Sequence, residues 1–176
     1  MKKKVFVVFS ILIVLSISLY IKSFYVSDKM FSENSLNCPF CNQKVIDYQK
    51  YFENKNVIGL YNYKPLAKGH CLIIPKRHVQ KFDELNESEI KDIFELIKKT
   101  NNSAQKIFGV QSYQIIQKNG KDVGQSVPHL HFHYIPNKQN GSIISYYSKF
   151  ALYPLMKKLD KQQMKEMTFL MSQNLE

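Results

Sequence analysis

Three histidines at every second position, His129-Leu130-His131-Phe132-His133, constrain this chain more than any other stretch of it. Successive side chains of an extended strand point to opposite faces. The spacing therefore predicts a β-strand with three imidazoles on one face and Leu130, Phe132 and Tyr134 on the other. The chain has only five histidines, and gathering three of them into five residues is not what packing alone produces. Imidazole is the side chain whose ordinary pKa lets it act as nucleophile, acid, base or metal ligand near neutrality. We read the strand as an active site.

Residues 1–30 read as something other than core. Lys2, Lys3 and Lys4 precede an uncharged apolar run over residues 5–21, the pattern of a signal peptide or a short membrane anchor. The reading preferred here is an uncleaved anchor, with the lysines on the cytoplasmic side and the domain extracytoplasmic. Secretion after cleavage near Ser16-Ile17-Ser18 is the alternative. Residues 31–140 form the expected domain, and 141–176 a helical extension. Of the net charge of +11, the five lysines of the first thirty residues against Asp28 account for +4, which leaves +7 for the remainder. A basic domain suits an anionic ligand. The lysines are scattered and form no RNA-binding motif, so nucleic acid is not the expected partner.

Residues 56–63 and 70–74, with a Pro- and Gly-containing turn between them, read as a β-hairpin. A helix is expected from an Asn86/Glu89 capping box to Gly109, with Ile90, Ile93, Phe94, Ile97, Ala104, Ile107 and Phe108 as its apolar stripe. A third strand follows over residues 110–118. From Asp160 onward Met164, Met167, Leu170 and Met171 mark a second amphipathic helix, covering the core or a dimer seam.

Cys38-Pro39-Phe40-Cys41 has three readings: half of a structural zinc site, a redox pair, or two unrelated cysteines at a turn. Zinc is preferred, with His78 and His129 as candidate partners. Cys71 stands alone in an apolar strand and reads as core. The loop from Asn119 and Gly120 to Gln125 and Ser126 offers glycines that let backbone approach an oxyanion, just ahead of the histidine strand.

The run from Gly124 through His129, His131 and His133 to Pro136 resembles the signature of the histidine triad (HIT) family. The stretch from Lys68 to His78 is similar to that family's second block, and Asn119-Gly120 to its loop. The resemblance implies an α+β domain with an antiparallel sheet, a long helix packed on it, and a homodimer. It implies nucleotide hydrolase or nucleotidyl transferase chemistry on nucleoside phosphoramidates or related substrates, through a covalent nucleotidyl-histidine. His131 would be the nucleophile at the α-phosphate, with no metal required at the phosphate itself. His133, Ser126 and Gln125 would hold phosphate oxygens, and Asn119, Gly120 and Asn62 would contact ribose or phosphate. Asn62 stands where the family often has aspartate, a departure at the ribose contact. A structural zinc would be held by Cys38, Cys41, His78 and His129. The alternatives are a catalytically silent nucleotide-binding module and a membrane-bound Cys-x-x-Cys thiol oxidoreductase.

Overall fold

Five antiparallel strands make one sheet in the computed structural model, which describes residues 38–138 and 142–175 together with Val14 and Ser18. In chain order they are β1 (Lys50–Glu53), β2 (Val57–Tyr61), β3 (Cys71–Pro75), β4 (Val110–Gln117) and β5 (Phe132–Lys138), arranged β1-β2-β3-β5-β4. Between residues 38 and 175 the α-helices among the described residues are α1 (Gln43–Gln49), α2 (Glu87–Phe108), α3 (Ile143–Ala151) and α4 (Lys161–Gln173). This is the expected α+β architecture, with the long helix on the sheet.

The hairpin of β2 and β3 is buried throughout, because both of its faces are covered. Val57, Tyr61, Cys71 and Ile73 face α2 and α4 in the main core, with Ile93, Leu96, Leu130, Met164 and Met171. Ile58, Leu60, Leu72 and Ile74 face the opposite way, against Cys38, Phe40 and Ile46. Period-two alternation thus gives the sheet one structural face and one face that carries the candidate site.

Helix α2 begins and ends where its sequence signals place it. Asn86 accepts from the Glu89 N–H at 2.9 Å, and Glu89 accepts in return from the Asn86 N–H at 3.0 Å. Gly109 takes φ 64°, the left-handed cap that costs a side chain-bearing residue strain. Glu89 also pairs with Arg77 at 2.8 Å, and that contact holds its carboxyl below the usual range. The helix start is so tied to the turn that carries His78. The apolar stripe departs from expectation at one point: Phe94 is half exposed, and Leu96 is buried instead.

The expected histidine strand begins later than its spacing suggests. Only His133 lies within β5; His129 and His131 precede the ladder. Their segment bonds elsewhere, with the Leu130 N–H donating to Val79 O at 2.7 Å. Leu130, Phe132 and Tyr134 still enter the core, so the three rings share the opposite side.

The chain after α3 returns across the site. Lys64 Nζ donates to Pro154 O at 3.1 Å and lies 4.7 Å from the centre of the Tyr153 ring. The Leu159 N–H donates to Tyr63 O at 2.8 Å.

The expectation of a membrane-anchored, extracytoplasmic domain is corrected here. Among the described residues no helix is long and apolar enough to cross a membrane. The run over residues 5–21 that prompted it lies, save Val14 and Ser18, outside the described residues.

Candidate active site and metal centre

Four side chains from three segments converge beneath the site. Cys38 caps and Cys41 closes a single 3-10 turn, Pro39–Cys41, and both sulfurs approach the same histidine. Cys41 Sγ lies 3.3 Å from His78 Nδ1, and His129 Nδ1 lies 3.5 Å from both sulfurs. All four candidate ligand atoms fall within 4.8 Å of one another. A tetrahedral ion with bonds of about 2.0–2.3 Å spaces its ligands roughly 3.4–3.8 Å apart. The cluster fits such an ion. His129 Nε2 donates to Pro75 O at 2.9 Å, which fixes the tautomer and leaves the Nδ1 lone pair toward the sulfurs. Burial pushes His129 down to about 4, so its ring is neutral and ligand-ready. Burial, then the neighbouring Cys41, pushes the Cys38 thiol up to about 12, so a cation must displace its proton.

The next histidine inherits its orientation from this one. His131 Nδ1 donates to the carbonyl of His129 at 2.7 Å. A carbonyl only accepts, so Nδ1 carries the proton and Nε2 keeps a free lone pair. Burial holds the His131 imidazole below its ordinary pKa, against the opposing pull of that carbonyl. The group is a neutral imidazole with one committed nitrogen and one available nitrogen.

His133 is set by a residue that sequence reasoning left without a role. His70 Nδ1 accepts from the Leu66 N–H at 3.0 Å, which places the His70 proton on Nε2. That nitrogen lies 3.0 Å from His133 Nδ1 and donates to it. The His133 proton is therefore on Nε2, making His133 a donor on its other side. Asn62 is buried beside the pair, its Nδ2 3.1 Å from His70 Nε2 and its Oδ1 accepting from the Lys64 N–H at 2.9 Å. The available signal for His70 was arithmetic: it was the one histidine of five still unassigned.

Burial pushes His70 down to about 3. An unfolded histidine takes up a proton near pH 6.5, so between about pH 6.5 and 3 the unfolded chain binds one proton that the fold refuses. Stability contributed by the neutral ring is therefore lost as pH falls through that window. We expect the melting temperature to decline from pH 7 to pH 4, and more shallowly in His70→Asn. Equal slopes for the two proteins would remove this account of His70.

The loop ahead of the triad is distributed differently from expectation. Ser126 lines the cavity with His131 and His133. Gln125 is buried, with Oε1 accepting from the Gly120 N–H at 2.6 Å and Nε2 donating to Gln80 O and Val127 O, each at 3.0 Å. Its carboxamide braces the loop. Asn119 Oδ1 accepts from the Phe82 N–H at 2.9 Å and from Gln117 Nε2 at 2.8 Å, so it anchors the strand end. Neither Asn119 nor Gly120 lines the cavity; Lys118 does. The space has two lobes sharing Ser126, His131, His133 and Tyr153. One, of about 450 Å³, is walled by Phe40, Val45, Tyr48, Tyr63, Leu72 and Asn62. The other, of about 270 Å³, is walled by Leu66, His70, Ile116, Lys118 and Phe150.

Residues 43–140 match the family described as the HIT domain. An adenosine 5'-monophosphoramidase of Schizosaccharomyces pombe is 36% identical over 103 residues, covering 57% of this chain and 74% of that protein. The asymmetrical bis(5'-nucleosyl)-tetraphosphatase of the same yeast is 36% identical over 91 residues, 52% of this chain and half of its own length. Among solved structures, a Zn-bound histidine triad family protein from Mycobacterium smegmatis superposes with a TM-score of 0.61 at 20% identity, covering 80% of this chain and 96% of that one.

Proposed function

The chain belongs to the HIT domain family, and on that premise we propose that it is a hydrolase of nucleotidyl substrates in which His131 accepts the nucleotidyl group. One observation carries the reading: His131 Nδ1 is committed to the His129 carbonyl at 2.7 Å, leaving Nε2 as the free nitrogen of a neutral ring in the cavity wall. A neutral nucleophile meets no repulsion from an anionic phosphate. Nε2 forms a bond to the α-phosphorus as the bond to the leaving group breaks, and water then cleaves the phosphorus–nitrogen bond. His133 Nε2–H and the Ser126 hydroxyl donate to the phosphate oxygens, each such donor being worth ~3 kcal/mol in the transition state. The named activities of the two yeast relatives, a phosphoramidase and a tetraphosphatase, support this class of reaction.

Cys38, Cys41, His78 and His129 would hold zinc, which two thiolates and two imidazoles favour. A zinc held there would supply a cross-link between the Pro39–Cys41 turn, the turn after β3 and the segment before β5. The thiol oxidoreductase reading loses its two cysteines to this cluster. The homodimer belongs to the same reading, on the edge strand β4 with exposed Tyr113 and Ile115. The sedimentation coefficient of the purified chain weighs it.

The test is intact-mass analysis of the metal-loaded chain mixed briefly with an adenosine phosphoramidate. We expect a nucleotidyl adduct on His131. A folded, metal-loaded chain that forms no adduct and releases no nucleotide, from the phosphoramidate or from a dinucleoside tetraphosphate, overturns the reading.

A further inference from the structure

The smaller lobe holds a cation that no ion pair among the described residues neutralises. Lys118 follows the last residue of β4 and lines that lobe with Ser126, His131 and His133. Its Nζ lies 3.2 Å from Gly124 O, so the ammonium is held over the loop that carries Ser126. Glycine at 124 leaves it that space: a Cβ there would stand 3.1 Å from Nζ, on a backbone at φ +81°. No carboxylate lines the lobe, and among the described residues Lys118 makes no ion pair, whereas Lys50, Lys76, Arg77 and Lys91 do.

We propose that Lys118 selects substrates whose leaving group is itself a phosphate, by binding that phosphate in the smaller lobe. The inference rests on the nucleotidyl-hydrolase reading and names its substrate class. As His131 Nε2 bonds to the α-phosphorus, the bond from that phosphorus to the bridging oxygen breaks. Its electron pair stays on the departing phosphate, which leaves as an oxyanion without needing a proton. The ammonium meets the negative charge that grows there. An amine leaving group behaves oppositely, since its nitrogen must gain a proton to depart and so carries positive charge beside Lys118. One fixed cation therefore favours polyphosphate substrates and disfavours phosphoramidates.

The experiment compares kcat/KM for a dinucleoside tetraphosphate and for an adenosine phosphoramidate, using the full metal-loaded chain, Lys118→Gln and Lys118→Arg. The ratio of tetraphosphate to phosphoramidate is expected to fall by about tenfold in Lys118→Gln and to be largely retained in Lys118→Arg. Added salt should lower the ratio in the unsubstituted chain and leave it flat in Lys118→Gln. Lys118 is exposed, so the fold is not at stake. An unchanged ratio in Lys118→Gln overturns the proposal while leaving the hydrolase reading in place. Turnover of neither substrate by the unsubstituted, folded chain overturns the hydrolase reading and this inference with it.

Discussion

Replacing His131 with alanine is expected to lower kcat/KM by roughly 10⁴-fold or more, the scale on which enzymes lose activity when a nucleophile is removed. The loss is large because no neighbour can substitute. His133 has its Nδ1 occupied by His70 and presents a proton rather than a lone pair to the cavity. His129 turns its lone pair toward the cysteines. The fold should survive, since the ring sits in the cavity wall and, among the described residues, its one hydrogen bond goes to the backbone carbonyl of His129. Kinetics and a thermal melt on the same preparation check this. Activity within tenfold of the unsubstituted chain would remove His131 from the chemistry.

Replacing Cys38 with serine should act in the reverse order, on stability first and on turnover as a consequence. With free metal at about a thousand times its dissociation constant, binding adds about 4 kcal/mol to stability. A domain of this size shifts by about 2–4 °C per kcal/mol, so losing the metal should lower the melting temperature by roughly 10 °C. Turnover should fall as well, because the residue that would offer Nδ1 to the metal offers its carbonyl to His131. Metal content and melting temperature measured together decide the matter, with His78→Ala as a parallel lesion outside the Cys38 turn. Full metal content in both variants, or melting temperatures unchanged, would sink the metal-centre account.

The parts of this fold that were readable from sequence are those in which one local signal suffices. Helix α2 carries a capping box and a glycine stop that agree with the structure, and its apolar spacing does so except at Phe94, where Leu96 is buried instead. The β2–β3 hairpin reads as near-continuous apolar runs because both faces are covered. Cys38, Cys41, His78 and His129 were nameable from spacing and the family blocks, and their ligand atoms do converge. What escaped depends on tertiary placement. The seven residues of α1 and the four of β1 are too short to set a period and are held by α4 and β2. Whether Lys118 or Asn119 meets the cavity turns on a single residue at the end of β4, where the chain leaves the ladder for a turn. His70 gained its role only when β3 and β5 paired, since Leu72 opposite His133 sets the face on which His70 also lies.

Phe150 and Tyr153 belong to the stretch after residue 140, where the match to the shared domain stops, yet both line the cavity. Lys64 clasps that stretch to the domain at Pro154 and over the Tyr153 ring. The histidines and the outer wall are thus written in separate portions of the gene. A change confined to Phe150 or Tyr153 can reshape what the cavity admits without touching a histidine. Admission to the cavity and the chemistry inside it can therefore be altered one at a time.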